Sequence, residues 1–216
     1  MSILNRISSF QNRRDQAPNK ELARVLIDTE DEKGIREIAE NLGNENPRIQ
    51  SDCLSVFEEI GAHRPEFIAN YVNDLLKLAH SKVNRLVWGS LIPLSRIAYL
   101  RAEEIFPHRE YLIRLMEAGS VIVSDNAVKI LAIVASKDTV YKTCLLPYLL
   151  NHLETCRAKD VPQHTEATLL AIDAESKDEF SGILKKRMAD LSSTQAKRLK
   201  KVIGEDERLR TTLGNG

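Results

Sequence analysis

The apolar residues of this chain return every 37 positions. Ile60, Ile97 and Val134 are spaced that way, and a small residue follows each: Gly61, Ala98 and Ala135. Phe57, Leu94 and Leu131 come three residues before them, and Leu75, Leu112 and Leu149 fifteen residues after. A period between about 20 and 50 residues belongs to repeat architectures, in which one supersecondary unit is copied along the chain. Such a unit cannot bury its apolar face alone, so successive copies must stack. The period therefore speaks to fold. It does not identify a partner, because a stacked array presents surfaces rather than a compact catalytic motif.

Within each period the pattern is helical. Ile49, Cys53, Val56, Phe57 and Ile60 recur at spacings of three and four, the stripe of a helix buried on one side. Asn46-Pro47 supplies a cap and a first-turn proline for a helix from Pro47 to Ile60, and Gly61 is expected to end it. Pro65 opens a partner helix with Ile68, Tyr71, Val72, Leu75, Leu76 and Ala79 on its buried side. The unit repeats as Asn84 to Ala98 with Ala102 to Glu117. It repeats again as a helix opened by Ser124 and ending at Ala135, paired with one capped by Asp138 and running to Cys156. A weaker copy follows, Pro162 to Ala174 with Lys177 to Leu191, where the spacing stretches to about 39. Lys20 to Thr29 and Glu32 to Asn41 form a short opening pair, and Ser193 to Gly204 a closing helix. Val121-Ile122-Val123 is the only strand-like stretch and is too short to pair. Pro93, Pro107 and Pro147 fall inside expected helices and should kink them.

Paired amphipathic helices at this period, with internal prolines and short polar turns, resemble the HEAT repeats of the armadillo-type superfamily over about residues 20 to 191. The likeness is one of period and pattern. It implies an all-α, right-handed α-α superhelix of about five helix pairs, with one repeat domain over 1–216. Residues 1–19 would form an N-terminal capping segment, and 192–216 a C-terminal capping helix and tail. In such solenoids the second helix of each pair lines a concave face that binds other macromolecules. On this chain the second-helix positions between apolar anchors are Asp74 and Lys77, Tyr111 and Arg114, and Tyr148 and Asn151, with Arg187 and Asp190 after the longer spacing. Residues three apart share a helix face, so these positions should form two columns. Tyrosine and arginine are enriched in binding hot spots. A solvated face that binds nothing is the plainer reading of the same positions.

Other features weigh less. Lys plus Arg and Asp plus Glu each number 31, so net charge is zero and nothing global attracts nucleic acid or an anionic membrane. The run Lys185, Lys186, Arg187, Lys197, Arg198, Lys200 and Lys201 is a local basic cluster, but Glu205, Asp206 and Glu207 follow it. Arg48 and Arg85 share one repeat position just after a helix start, where a cation opposes the macrodipole. An acid in the neighbouring repeat explains them better than a phosphate. Trp88, the only tryptophan, sits at the edge of a core stripe and is expected to pack. Cys53, Cys144 and Cys156 form no C-x-x-C pair, so reduced, mostly buried thiols are expected. His152 and Cys156 are four apart, as are Glu104 and His108; two ligands do not make a zinc site. Asp173, Glu175, Asp178 and Glu179 form an acidic turn expected to stay hydrated. The N-terminal stretch with Ile3, Leu4, Ile7 and Phe10 beside Arg6, Arg13 and Arg14 reads as a capping helix ahead of an organelle-targeting segment. No apolar run reaches the length of a membrane span.

These features point to a non-enzymatic scaffold for a protein or peptide, with no cofactor, no metal, no membrane and a cytoplasmic location. The rival reading is a DNA-binding HEAT-like protein, since small HEAT-like glycosylases of alkylated bases have this size and architecture. Base extrusion wants several aromatic residues, a catalytic carboxylate and encircling Lys and Arg, and no motif here matches.

Overall fold

Three helices, Glu32–Glu40, Pro47–His63 and Thr139–Thr155, start where the chain supplies a side-chain cap. In a computed structural model of the chain, which describes residues 2–213 with side chains through residue 204, the Asn46 side chain accepts a hydrogen bond from Arg48 N at 3.0 Å, and α3 runs from Pro47 to His63. Asp138 accepts from Val140 N at 2.7 Å and opens α9, Thr139–Thr155. Asp31 accepts from Gly34 N and opens α2, Glu32–Glu40. The first half also holds α1, Ala17–Asp28, and α5, Asn84–Ile97. No strand occurs among the described residues.

Proline interrupts some helices and not others. Pro93 lies inside α5 and Pro147 inside α9. Pro107 instead breaks the helix expected over Ala102 to Glu117. Helix α6, Ala102–Ile105, gives way to a 3-10 turn at Phe106–His108 and then to α7, Arg109–Ala118. Pro65 likewise opens two 3-10 turns before α4, Val72–Ala79.

Three boundaries differ from expectation. Gly61 does not end α3. No glycine among the described residues has positive φ, and α3 continues to His63. Gly61 is small because space is short: a Cβ there would meet Ile68 Cδ1 at 2.9 Å and Arg96 Cβ at 3.3 Å. Helix α8, Val121–Ala135, begins three residues before Ser124, so the strand-like stretch is its first turn. The buried Ser124 hydroxyl donates to the Met116 carbonyl at 2.7 Å rather than capping. Before α1 the chain forms only a short 3-10 turn, Ile3–Arg6, not a capping helix. The remaining elements are α10, Val161–Thr168, α11, Lys177–Arg187, and α12, Ser193–Leu213, which extends past Gly204.

The chain divides into two compact units, Met1–His108 and Arg109–Gly216. In the first, α1, α3 and α5 stack in order and α4 packs on α5. Ile38, Phe57, Ile60, Leu75, Leu91, Leu94 and Ile97 fill its core with no exposed surface. Burying a side chain of this size contributes about 1.5–3 kcal/mol. In the second, α8 packs on α7, α9 and α10, α10 on α12, and α9 on α11, around Ala127, Val128, Ile130, Leu149 and Leu153. The apolar periodicity thus becomes helix-on-helix stacking within each unit. With α6 and α7 counted as the two parts of one broken helix, the elements follow one another in the chain as five pairs and a closing helix.

Candidate functional site

Helical phase decides which of the expected contact residues reach solvent. On α9, Leu145, Leu146, Leu149, Leu150 and Leu153 are buried. Tyr148 and Asn151 fall on the other side and are exposed, Tyr148 by 48%. On α7, Leu112, Ile113 and Met116 are buried while Arg114 is exposed and Tyr111 half-buried. The Arg114 guanidinium lies 5.7 Å from the centre of the Tyr111 ring, within cation–π range. Partial burial raises the Tyr111 phenol above its ordinary pKa against the opposing pull of Arg114. In the first unit Asp74 and Lys77 are exposed on α4.

Arg187 does not join them. It is buried, and its guanidinium donates to the carbonyls of Leu153 and Cys156 at 2.7 Å each and to Asp190 at 3.0 Å. The longer repeat turns this position inward. A guanidinium has enough donors to satisfy the carbonyls left open at the end of α9, so Arg187 is a clamp rather than a contact residue.

The first unit also gathers arginines that are far apart in sequence. A cleft of about 650 Å³ is lined by Arg13, Arg14, Arg48, Arg85, Ser51 and Asp52, among others. It opens beside the N-terminus of α3, a place that favours anions. Arg13 is paired with Asp15 at 3.0 Å. Among the described residues no carboxylate lies within ion-pair distance of Arg14, Arg48 or Arg85. The acid expected opposite Arg48 and Arg85 is therefore absent there. Arg85 instead donates to the Ser51 hydroxyl and sits 5.1 Å from the ring centre of the half-buried Trp88. Asp52 is not available to the arginines. Its carboxylate accepts from Ser9 N and Asn19 Nδ2, each at 2.8 Å, and from the Ser9 hydroxyl.

In the second unit, three metal-ligating side chains meet. His152 Nε2 and His164 Nδ1 are 3.0 Å apart. The other ring nitrogen of His164, Nε2, lies 2.8 Å from Asp125 Oδ1. A carboxylate accepts, so His164 Nε2 carries the hydrogen, and Nδ1 presents its lone pair to His152. Cys156 Sγ completes a group whose donor atoms all lie within 4.8 Å of one another. Both histidines are buried and Cys156 half-buried. Burial lowers His152 to a pKa of about 4, with the neighbouring His164 adding to the effect. Sequence reasoning paired His152 with Cys156 but missed His164. The available signal was the spacing of 39 between Asp125 and His164, the period of that repeat.

The C-terminal basic cluster is partly neutralised. Arg198 holds Glu166 with Nε–Oε1 at 2.6 Å, and Lys186 reaches Glu154 at 3.3 Å. Glu205, Asp206 and Glu207 have side chains outside the described residues. The acidic turn is less free than expected, since Asp173 pairs with Lys142 and accepts from Ser176 N. Of the thiols, Cys53 is buried and Cys144 exposed, so the expectation of mostly buried cysteines fails at Cys144. No described helix is long and apolar enough to cross a membrane.

No protein-family model matches the chain, and no curated protein matches it. Solved structures do. A designed armadillo repeat protein in complex with the peptide (KR)4 superposes with a TM-score of 0.68 at 15% identity, over 93% of this chain and 90% of that one. The karyopherin Kap121p bound to the SUMO protease Ulp1p gives 0.66 at 17% identity, over 93% of this chain. The chain spans about a fifth of the length of Kap121p, covering 22% of it. An engineered protein gives 0.61 at 18% identity over 95% and 98% of the two chains. The fold is thus all-α, of the armadillo/HEAT helical-repeat class.

Proposed function

We propose that this protein is a non-enzymatic scaffold that binds a protein or peptide along the second-helix face of its repeats. The observation that carries the reading is the exposure of Tyr148 and Arg114 on helices whose other sides are core. Their side chains combine large contact area with polar tips, as hot-spot residues do. Tyr111 and Asn151 would extend the contact surface of the second unit, and Asp74 and Lys77 would serve on the corresponding helix of the first. The designed neighbour holds a peptide and the karyopherin a protein, which supports a ligand of this class on a related fold. The test is capture of partners from the native host by the full chain and by a Tyr111→Ala/Arg114→Ala/Tyr148→Ala variant of unchanged helicity. Loss of a protein partner supports the reading, with each hot-spot truncation costing about 1–2 kcal/mol. Undiminished capture by the variant overturns it.

The arginine cleft favours a second reading, in which the ligand is nucleic acid. Three arginines without acid partners supply a local patch that the neutral net charge conceals. Contacts to about three phosphates would give a salt slope near −2.7, or about a fortyfold loss of affinity from 50 to 200 mM salt. Base-excision chemistry is not supported by this cleft, because Asp52 is tied to Ser9 and Asn19. Duplex-DNA binding with that salt dependence, abolished by Arg14→Ala/Arg48→Ala/Arg85→Ala, would displace the first reading. No binding at 50 mM salt would remove the second.

A further inference from the structure

We propose that His152, Cys156 and His164 form a binding site for a borderline-soft divalent cation of the zinc type, with Asp125 as the outer carboxylate that orients His164. Three observations converge. The donor atoms, two imidazole nitrogens and a sulfur, already lie within 4.8 Å of one another. This is a donor set zinc prefers. The outer hydrogen bond from His164 Nε2 to Asp125, at 2.8 Å, is the support that metal-bound histidines usually have. The third observation concerns the sulfur. A chain running from Asp125 through His164 to His152 would satisfy both rings by hydrogen bonding alone. Such a chain has no use for Cys156, whose Sγ makes a long contact of 3.8 Å to the Leu153 carbonyl and lies beside the Arg187 guanidinium, which favours the thiolate.

The two nitrogens need little change, while the sulfur, within 4.8 Å of them, would close to about 3.6 Å from each. Zinc bonds of about 2.0–2.1 Å to nitrogen at a tetrahedral angle place two nitrogens about 3.3 Å apart. Here they are 3.0 Å apart, so the rings must separate by about 0.3 Å and turn their lone pairs toward the ion. The hydrogen now shared between His152 Nε2 and His164 Nδ1 would move to His152 Nδ1 as a tautomer change. The Cys156 thiol proton would leave to solvent, so one proton is released per ion bound. Arg187 fixes the chain around Cys156 by holding the Leu153 and Cys156 carbonyls.

The test uses the full chain stripped of metal by chelator and reduced. Zinc is titrated against a chromophoric chelator, and cobalt(II) absorption reports thiolate coordination. The expected result is one ion per chain and a thiolate-to-cobalt charge-transfer band. Cys156→Ser should abolish the band and weaken zinc at least about tenfold. Asp125→Asn should weaken it about 10–100-fold with the band retained, as loss of an outer partner does. Cys144→Ser should change neither, which separates the site from the exposed thiol. Absence of the band, a band that follows Cys144, or zinc affinity unchanged in both Cys156→Ser and His164→Gln would overturn the assignment. The near-isosteric serine variant keeps the test decisive if the His164 variant fails to fold.

Discussion

Asp52 of the first unit and Asp125 of the second both lie in the early turns of a repeat's first helix, and both hold partners brought from elsewhere in the sequence. Asp52 is buried and accepts from neutral groups only: a backbone N–H, a hydroxyl and a carboxamide. Asn19 in turn accepts from Ser8 N at 2.8 Å. Nothing among those donors titrates, and the network ties the segment before α1 to α3. Asp125 has a side chain 21% exposed and reaches an imidazole that reaches a second imidazole. Each link there can exchange its hydrogen for another proton arrangement or for a cation. One aspartate holds the segment before α1 through groups that do not titrate, while the other holds a ring that can exchange protons.

The largest expected consequence tests that contrast directly. Asp52→Ala removes the acceptor shared by the half-buried Ser9 N–H and the buried Asn19 amide, which keeps only Gln16 Oε1, and should cost about 3 kcal/mol, read as a shift in urea denaturation. Asp125→Ala removes a partly exposed acceptor, so water entering from that side can replace it at the buried His164 N–H, and should cost about 1 kcal/mol. Equal losses would show that the two clusters do the same structural job.

A smaller effect concerns pH. His152 has a folded pKa of about 4 against an ordinary value of 6.5. Between those values the unfolded chain binds a proton that the folded chain refuses, so stability rises with pH across the window. Chelator-treated protein should therefore lose thermal stability as pH falls from about 6.5 toward 4, and His152→Gln should flatten that part of the Tm profile. A profile unaffected by the substitution would place the pH sensitivity elsewhere.

Much of the fold was legible because apolar burial repeats with the helix pairs. Phe57, Ile60, Leu94, Ile97, Leu131 and Val134 are all core. The helix ends were less legible. Gly61 carries the composition of a stop, yet it is small because Ile68 and Arg96 approach closely, a tertiary fact that no local pattern displays. Pro107 breaks its helix while Pro93 and Pro147 do not, and composition alone does not separate them. Asp74, Lys77, Arg114, Tyr148 and Asn151, the positions expected to make contacts, reached solvent because helical phase fixes a face. Arg187 turned inward because one or two extra residues in a repeat rotate everything after them. The arginine cleft and the His–Cys cluster escaped a linear reading for one reason. Their members come from different repeats, so only stacking makes them neighbours.

The smallest effect is chemical rather than energetic, and it separates the units through their thiols. Burial pushes the Cys53 thiol up to about 12, and the adjacent Asp52 charge adds to it. Cys53 should stay unlabelled by a disulfide reagent until the first unit opens, because the thiolate is the reactive form. Cys144 is exposed and should react at once. Cys156, half-buried and raised mainly by burial, should react more slowly than Cys144. If Asp52 fixes the first unit as argued, Asp52→Ala should speed labelling of Cys53 under native conditions and leave Cys156 unchanged. If added zinc slows Cys156 alone, the second cluster is the exchangeable one; protection of Cys144 instead would remove that half of the contrast.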